Sequence, residues 1–105
     1  MKVAIVGFKE ENKRELADAM EKLIVESQCF LFTVVASQPD SLGARWARHN
    51  GAPVEYNQDT SLDGLIKSAD YFLIWNDGSV PMHRLIFKIM HSGKHGTILG
   101  EKYKP

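Results

Sequence analysis

The 105-residue sequence has a single cysteine and no long apolar run. One cysteine cannot form an internal disulfide, so a reducing compartment is the natural setting for this chain. The longest apolar stretch, residues 29–36, is far shorter than the ~20 residues that cross a bilayer. No signal-peptide pattern opens the sequence. We therefore expect a cytoplasmic protein that has no membrane partner.

An excess of charge of one sign is also missing. The 13 Lys and Arg residues balance 13 Asp and Glu residues, so the formal net charge is zero. Proteins whose main partner is duplex nucleic acid usually carry a strongly basic face. No duplex nucleic acid is therefore expected as a partner, although the balance leaves room for a small basic pocket that holds one phosphate.

Several catalytic signatures are absent as well. The sequence contains neither the G-x-G-x-x-G dinucleotide fingerprint nor a P-loop, and it lacks the G-x-S-x-G elbow of seryl hydrolases. The four histidines have no cysteine or carboxylate at metal-ligand spacing. We expect no metal and no cofactor, and the sequence favours binding over catalysis while leaving enzymatic activity open.

The residues that are present alternate between two hydrophobic periodicities. Short apolar runs predict strands at residues 3–6, 29–36, 53–56, 71–75 and 96–99. Between them, apolar residues three and four apart predict four helices. Their expected core positions are Leu16, Met20, Leu23 and Ile24, then Leu42 and Trp46, then Leu62, Leu65, Ile66 and Ala69, and finally Met82, Leu85, Ile86, Ile89 and Met90.

This alternation predicts one α/β domain that spans residues 1–105. The expected architecture is a three-layer αβα Rossmann-like sandwich with a five-stranded parallel sheet in the order 3-2-1-4-5. Pro53 opens the third strand and lacks an N–H group for a sheet ladder, so this strand is expected at an edge of the sheet.

Ligands of such sheets bind beyond the carboxyl ends of the strands, where the strand order reverses. Three segments meet this condition and should converge in space. They are Gly7, Phe8 and Lys9 after the first strand, Ser37 to Asp40 after the second, and Asn76, Asp77, Gly78 and Ser79 after the fourth.

The first two segments allow more than one interpretation. Gly7 either lets the backbone approach a ligand or only turns the chain, and Lys9 is either a phosphate-binding cation or a solvated side chain. Phe8 would shape the same wall of the pocket. Asp40 either caps the second helix or faces the pocket, and Ser37 is a candidate phosphate contact.

The third segment opens the fourth helix. Its unpaired N–H groups and the helix dipole attract an anion. Asp77 opposes that attraction if it points inward, or it accepts a hydrogen bond from a ribose hydroxyl. Ser79 is the expected helix cap, and Trp75 at the end of the strand either stacks on a base or packs in the core.

The segment at residues 40–54 resembles a signature of the SLOG superfamily, and more narrowly of its YspA-like branch in bacteria and their phages. There an Asp-x-Leu helix start precedes Trp-Ala, and Gly-x-Pro-Val leads into the third strand. The matching positions here are Asp40, Leu42, Trp46, Ala47, Gly51, Pro53 and Val54. Ala69 and Asp70 before the fourth strand are also similar, and Asn76 to Ser79 stand where the family has a Gly-Gly-x-Gly-Thr phosphate loop.

The resemblance implies a Rossmann-like domain that binds a nucleotide or a nucleotide-derived ligand, in a bacterial or host cytoplasm, and that forms a homodimer. Related LOG-type enzymes hydrolyse nucleotide N-glycosidic bonds, and related DprA/Smf domains bind DNA. In this chain the loop keeps one glycine, Gly78, and lacks the Thr and Glu of the hydrolases. We expect ligand binding with little or no catalysis. The alternatives are a nucleotide phosphoribohydrolase, with Asp40 or Asp77 stabilising the oxocarbenium charge, and a degenerate fold used for protein association.

Overall fold

A computed structural model describes residues 1–28, 31–36, 40–56 and 62–100. Five strands form one parallel sheet: β1 (Lys2–Val6), β2 (Thr33–Ala36), β3 (Val54–Tyr56), β4 (Tyr71–Asn76) and β5 (His95–Gly100). Their order is β3-β2-β1-β4-β5, and every neighbouring pair is parallel. Both the predicted α/β Rossmann-like class and the predicted strand order are therefore confirmed.

Four helices connect the strands: α1 (Lys13–Ser27), α2 (Leu42–His49), α3 (Leu62–Ser68) and α4 (Val80–Ser92), with a 3₁₀ turn at Glu10–Asn12 before α1. A serine hydroxyl caps the N-terminal end of two of these helices. The Ser79 hydroxyl caps α4 as predicted, because it accepts the Met82 N–H at 3.3 Å. Ser41 caps α2 in the same way by accepting the Ala44 N–H, so the alternative that Asp40 is the cap is wrong.

Each face of the sheet carries its own hydrophobic core. Strands β1, β2 and β3 follow one another in one direction across the sheet, so right-handed crossovers place α1 and α2 on the same face. The chain then returns to β4 and continues to β5 in the opposite direction, which places α3 and α4 on the other face. The α1–α2 face buries Val3, Ile5, Leu16, Met20, Val34, Leu42, Ala47 and Leu73. The α3–α4 face buries Ala4, Val35, Ile66, Ala69, Phe72, Ile74, Met82, Leu85 and Ile89.

Leu31, within a predicted strand, and Met90, a predicted core position, are both exposed. Strand β2 begins at Thr33, and Leu31 is 83% exposed because the neighbouring Phe32 is the residue that turns into the core. Met90 is 70% exposed because it follows the buried Ile89 by one position, which rotates it about 100° around the helix. The predicted start of the second strand at Cys29 lies outside the described residues.

The predicted edge position of the third strand is confirmed. β3 pairs only with β2 in the sheet order, and the Pro53 carbonyl accepts the Val34 N–H at 2.9 Å. A proline is tolerated here because it precedes Val54, the first residue of β3 that pairs with β2. Among the described residues, no helix is both long and apolar enough to cross a membrane.

Candidate functional site

The strand order reverses between β1 and β4. The chain leaves β1 towards β2 and β3, and then returns to the other side of β1 as β4. In open α/β sheets, the crevice at the carboxyl ends of two such strands is the usual ligand site. The segments at this position are the turn Gly7–Lys9 and the α4 loop, which we define as residues 76–79.

The structure brings these two segments together. The Phe8 and Trp75 rings pack at a centroid distance of 5.8 Å. A Cβ atom at Gly7 would overlap the Trp75 carbonyl oxygen and would lie 2.8 Å from the Met82 Cε atom. Position 7 requires glycine for two reasons: its φ of +86° lies in the left-handed region, and its backbone lies close to β4. The interpretation of Gly7 as a turn residue is therefore sufficient to explain it.

Side-chain oxygens of the α4 loop accept two of the loop's own backbone N–H groups. The Gly78 N–H donates to Asn76 Oδ1 and the Ser79 N–H donates to Asp77 Oδ1, each at 2.9 Å. The Met82 N–H is bonded to the Ser79 hydroxyl, and Pro81 has no N–H to offer. A phosphate at this helix start would therefore compete with side-chain oxygens that already hold the donors.

Asp77 supplies the negative charge of this loop. The Ser79 hydroxyl and the Ser79 backbone N–H, together with the nearby Lys9 charge, hold the pKa of the exposed Asp77 carboxyl below its usual value. Lys9 is also exposed, at the end of the Gly7–Lys9 turn. The edge between β1 and β4 therefore presents one cation and one anion, both open to solvent.

A small cavity of about 160 Å³ lies at the carboxyl end of β1 and reaches the start of α2. Among its described lining residues are Ile5, Val6, Gly7, Phe8, Val35, Ser41, Leu42, Gly43 and Leu65. Ligand pockets for whole small molecules usually measure about 300–1,000 Å³, so this cavity is the size of one group of a ligand. The second predicted segment, Ser37 to Asp40, contributes none of its described residues to this cavity, since Asp40 is exposed and the lining begins at its neighbour Ser41. Ser37 lies outside the described residues.

Sequence patterns missed two larger grooves on either side of α1. The first, between α1 and α2, measures about 400 Å³, and its basic side chains are Lys13, Arg45 and His49. An ion pair between Glu10 and Arg45, 2.9 Å long, closes one end of it. The position of each groove depends on which strands the helices cover. Hydrophobic periodicity predicts where a helix lies in the sequence, but it does not predict which strands that helix covers.

The second groove, about 390 Å³, lies between α1 and the β4–β5 end of the sheet. Trp75 lines it together with Tyr71 and Leu99, and the Tyr71 and Thr97 hydroxyls share a hydrogen bond within it. Trp75 therefore packs on Phe8 and also borders this groove, and stacking on a base stays a prediction.

No set of three or more His, Cys, Asp or Glu residues in the described ranges could hold a metal ion. In comparisons with known proteins, no family model, no curated protein and no solved structure matches this chain. The SLOG resemblance therefore stays a prediction that depends on the residues quoted above.

Proposed function

We propose that this protein binds a nucleotide or a related phosphate-bearing ligand, without catalysis, at the carboxyl edge of β1 and β4. The observation that supports this most is that the turn carrying Lys9 packs, through Gly7 and Phe8, against the end of β4 at the point of strand reversal. The resemblance of residues 40–54 to the SLOG superfamily favours the same ligand class.

The proposed binding mode follows from size and charge. The cavity beside Gly7 accepts one small group, while the rest of the ligand lies outside, over the α4 loop. Lys9 provides the cation for the phosphate. Asp77 accepts a ribose hydroxyl, because an ionised carboxylate is an acceptor only. Asp40 and Ser37 are proposed to form the second wall.

A thermal-shift panel of mono-, di- and cyclic nucleotides, with orthophosphate alongside, tests this proposal. A ligand at 100 times its dissociation constant adds about 2.7 kcal/mol to the free energy of unfolding. The Lys9→Met variant should lose the shift, and Lys22→Met, a change on α1, should keep it. A panel without any shift for the wild-type protein would contradict the proposal.

Hydrolysis of a nucleotide N-glycosidic bond is the second candidate, and the exposed Asp77 carboxylate beside the cavity edge favours it. An ionised carboxylate could stabilise the positive charge that develops on the sugar as the base leaves and water attacks C1′. Base release from the nucleotide panel should then be measurable for the wild-type protein and should be lost in Asp40→Asn or Asp77→Asn. Wild-type protein that binds a nucleotide but releases no base would exclude this candidate.

A further inference from the structure

In the part of the chain that the structure describes, the sheet face that carries α1 and α2 has a gap at its β5 end. Strands lie about 4.8 Å apart and a helix is about 10 Å wide, so one helix covers about two strands. Of the helices in the described ranges, α1 and α2 pack on this face against β1, β2 and Leu73 of β4. The part of this sheet face that the two helices leave uncovered forms the groove next to α1, which we call the α1–β5 groove.

This groove has an apolar floor and an acidic rim. Its floor and wall consist of Ala19, Leu23, Tyr71, Trp75 and Leu99. The rim carries three carboxylates, on Glu15, Asp18 and Glu26, against one ammonium group, on Lys22. Lys22 lies 3.9 Å from Glu26 within α1, so the rim keeps a net negative charge.

Helix α4, on the other face of the sheet, has the opposite character. Val80, Phe87 and Met90 are 65%, 62% and 70% exposed. Their spacing of seven and three residues places them on one outer face of the helix, and we call them the α4 stripe. Three large exposed apolar side chains on one helix form a patch of the kind that marks an interaction site.

The charged residues around the α4 stripe are basic. Residues 80–92 contain Arg84, Lys88 and two histidines, and no Asp or Glu. Lys88 is paired with Asp63 of α3 at 3.2 Å, so Arg84 contributes the main positive charge beside the stripe. The α4 stripe and the α1–β5 groove are therefore both apolar and carry opposite charges.

We propose that the α4 stripe of one copy docks into the α1–β5 groove of a second copy of this chain. The 13 residues of α4 span about 20 Å, which matches the length of the six-residue strands β4 and β5. The docked helix takes the place of a third helix on this sheet face. Phe87 and Met90 meet Trp75 and Leu99, while Arg84 approaches the carboxylates on the rim.

Because the two surfaces differ, the contact is head-to-tail. Each copy receives a neighbour in its groove and offers its stripe to another, so the assembly closes as a ring or grows as a chain. A symmetric contact of stripe against stripe would bring two Arg84 residues together, and groove against groove would bring carboxylates together. Both symmetric pairings are disfavoured by like-charge repulsion.

Sedimentation analysis of the ligand-free wild-type protein over a wide concentration range gives the first test. The average mass should rise with concentration and pass that of a dimer, and added salt should weaken the association because the charges are exposed. A wild-type protein that stays monomeric, or that stops at a dimer, would overturn the proposal. This test needs no nucleotide, so its failure leaves the proposed ligand binding untouched.

Complementary variants provide the decisive test. Phe87→Glu places a carboxylate in the α4 stripe. The double variant Glu15→Lys/Asp18→Lys reverses the charge of the groove rim. Each should weaken self-association roughly tenfold or more, as loss of a central contact does. An equimolar mixture should form dimers and nothing larger, because each partner keeps one intact surface.

Three controls keep this result interpretable. Leu31→Glu changes an apolar residue outside both surfaces that is more exposed than Phe87, and it should associate like the wild type. Circular dichroism checks the fold of every variant, and Met90→Glu replaces Phe87→Glu if the latter does not fold. A mixture that contains no dimer, or a stripe variant that associates like the wild type, would refute head-to-tail docking.

Discussion

At the scale of single residues, two glycines with nearly the same backbone angle should respond differently to substitution. Gly7 and Gly78 have φ values of +86° and +80°. A Cβ atom at Gly7 would overlap the Trp75 carbonyl oxygen, whereas no atom lies within 4 Å of a Cβ atom at Gly78. Gly78→Ala should cost about 1–2 kcal/mol for the left-handed backbone alone. Gly7→Ala should cost more, because the clash adds to the same backbone strain.

Chemical denaturation of both variants measures this difference in the free energy of unfolding. Gly78→Ala serves as the matched control for backbone strain. Equal losses for the two substitutions would show that the approach of Gly7 to β4 has no energetic consequence.

The pKa of Asp77 provides a second residue-scale prediction. The Ser79 hydroxyl and backbone N–H, with the Lys9 charge, should hold this pKa below the ordinary aspartate value of about 3.9. A carboxyl whose pKa is depressed by folding stabilises the protein above the unfolded-state pKa, and this contribution is lost as the pH falls through the folded-state value. An NMR titration of the wild type should therefore show Asp77 titrating below its usual range.

Two variants separate the causes of that shift. Ser79→Ala removes the hydroxyl donor and should raise the pKa of Asp77 more than Lys9→Met does, because hydrogen bonding is the larger cause. An unshifted pKa in the wild type would mean that the bonds within the α4 loop do not persist in solution.

Residue roles were predictable where the interaction is local in sequence. Ser79 could be recognised as a cap because the N–H group that it binds lies three residues away. The choice between Asp40 and Ser41 depended on a one-residue shift in the start of α2, and pattern reasoning does not resolve such a shift. The need for glycine at position 7 could not be predicted, since the crowding comes from Trp75 on another strand.

At the scale of elements, Lys94 connects the end of one helix to the turn after another. It follows Gly93, and its ammonium group donates to the carbonyls of Ile66 and Ala69 at 2.5 and 2.7 Å. These carbonyls lie at the C-terminal end of α3, where a cation also complements the helix dipole. A short helix with few core residues gains much of its stability from such a contact.

Replacement of Lys94 by Met keeps the apolar stem and removes the ammonium group. We expect a loss of about 1–2 kcal/mol in the free energy of unfolding, within the range for charged hydrogen bonds at a half-buried site. Lys22→Met removes an exposed ammonium group from a loose ion pair and should change stability by less than about 0.5 kcal/mol. Hydrogen exchange should show faster opening of α3 in Lys94→Met than in this control, and identical exchange would contradict the assigned role.

Element type and order were predictable, and the outer faces of elements were not. The alternation of apolar runs with three-and-four spacing identifies the five strands and four α-helices of the described ranges, although not the 3₁₀ turn before α1, and Pro53 marks the edge strand. Met90 shows why exposure is harder to predict. Its hydrophobicity suggests the core, but the helical repeat turns it to the outer face beside Phe87.

At the scale of the whole molecule, the sheet separates two hydrophobic cores. Val3 and Val34 are register partners on neighbouring strands and belong to the α1–α2 core. Ile89 belongs to the core on the opposite face. Side chains that share a cavity couple energetically, whereas those separated by a sheet have no common neighbour through which to couple.

A double-mutant cycle tests this separation. Val34→Ala should cost about 2 kcal/mol from lost burial and an unfilled cavity, and Ile89→Val about 0.5–1.5 kcal/mol. The two losses should add within about 0.5 kcal/mol, because the affected side chains lie on opposite faces of the sheet. Val34→Ala combined with Val3→Ala should deviate from additivity by more than that, since both substitutions enlarge one cavity.

Equilibrium denaturation of each variant, with matching transitions by fluorescence and circular dichroism, measures these free energies of unfolding. Coupling between Val34 and Ile89 as large as that between Val34 and Val3 would mean that the two cores are not independent.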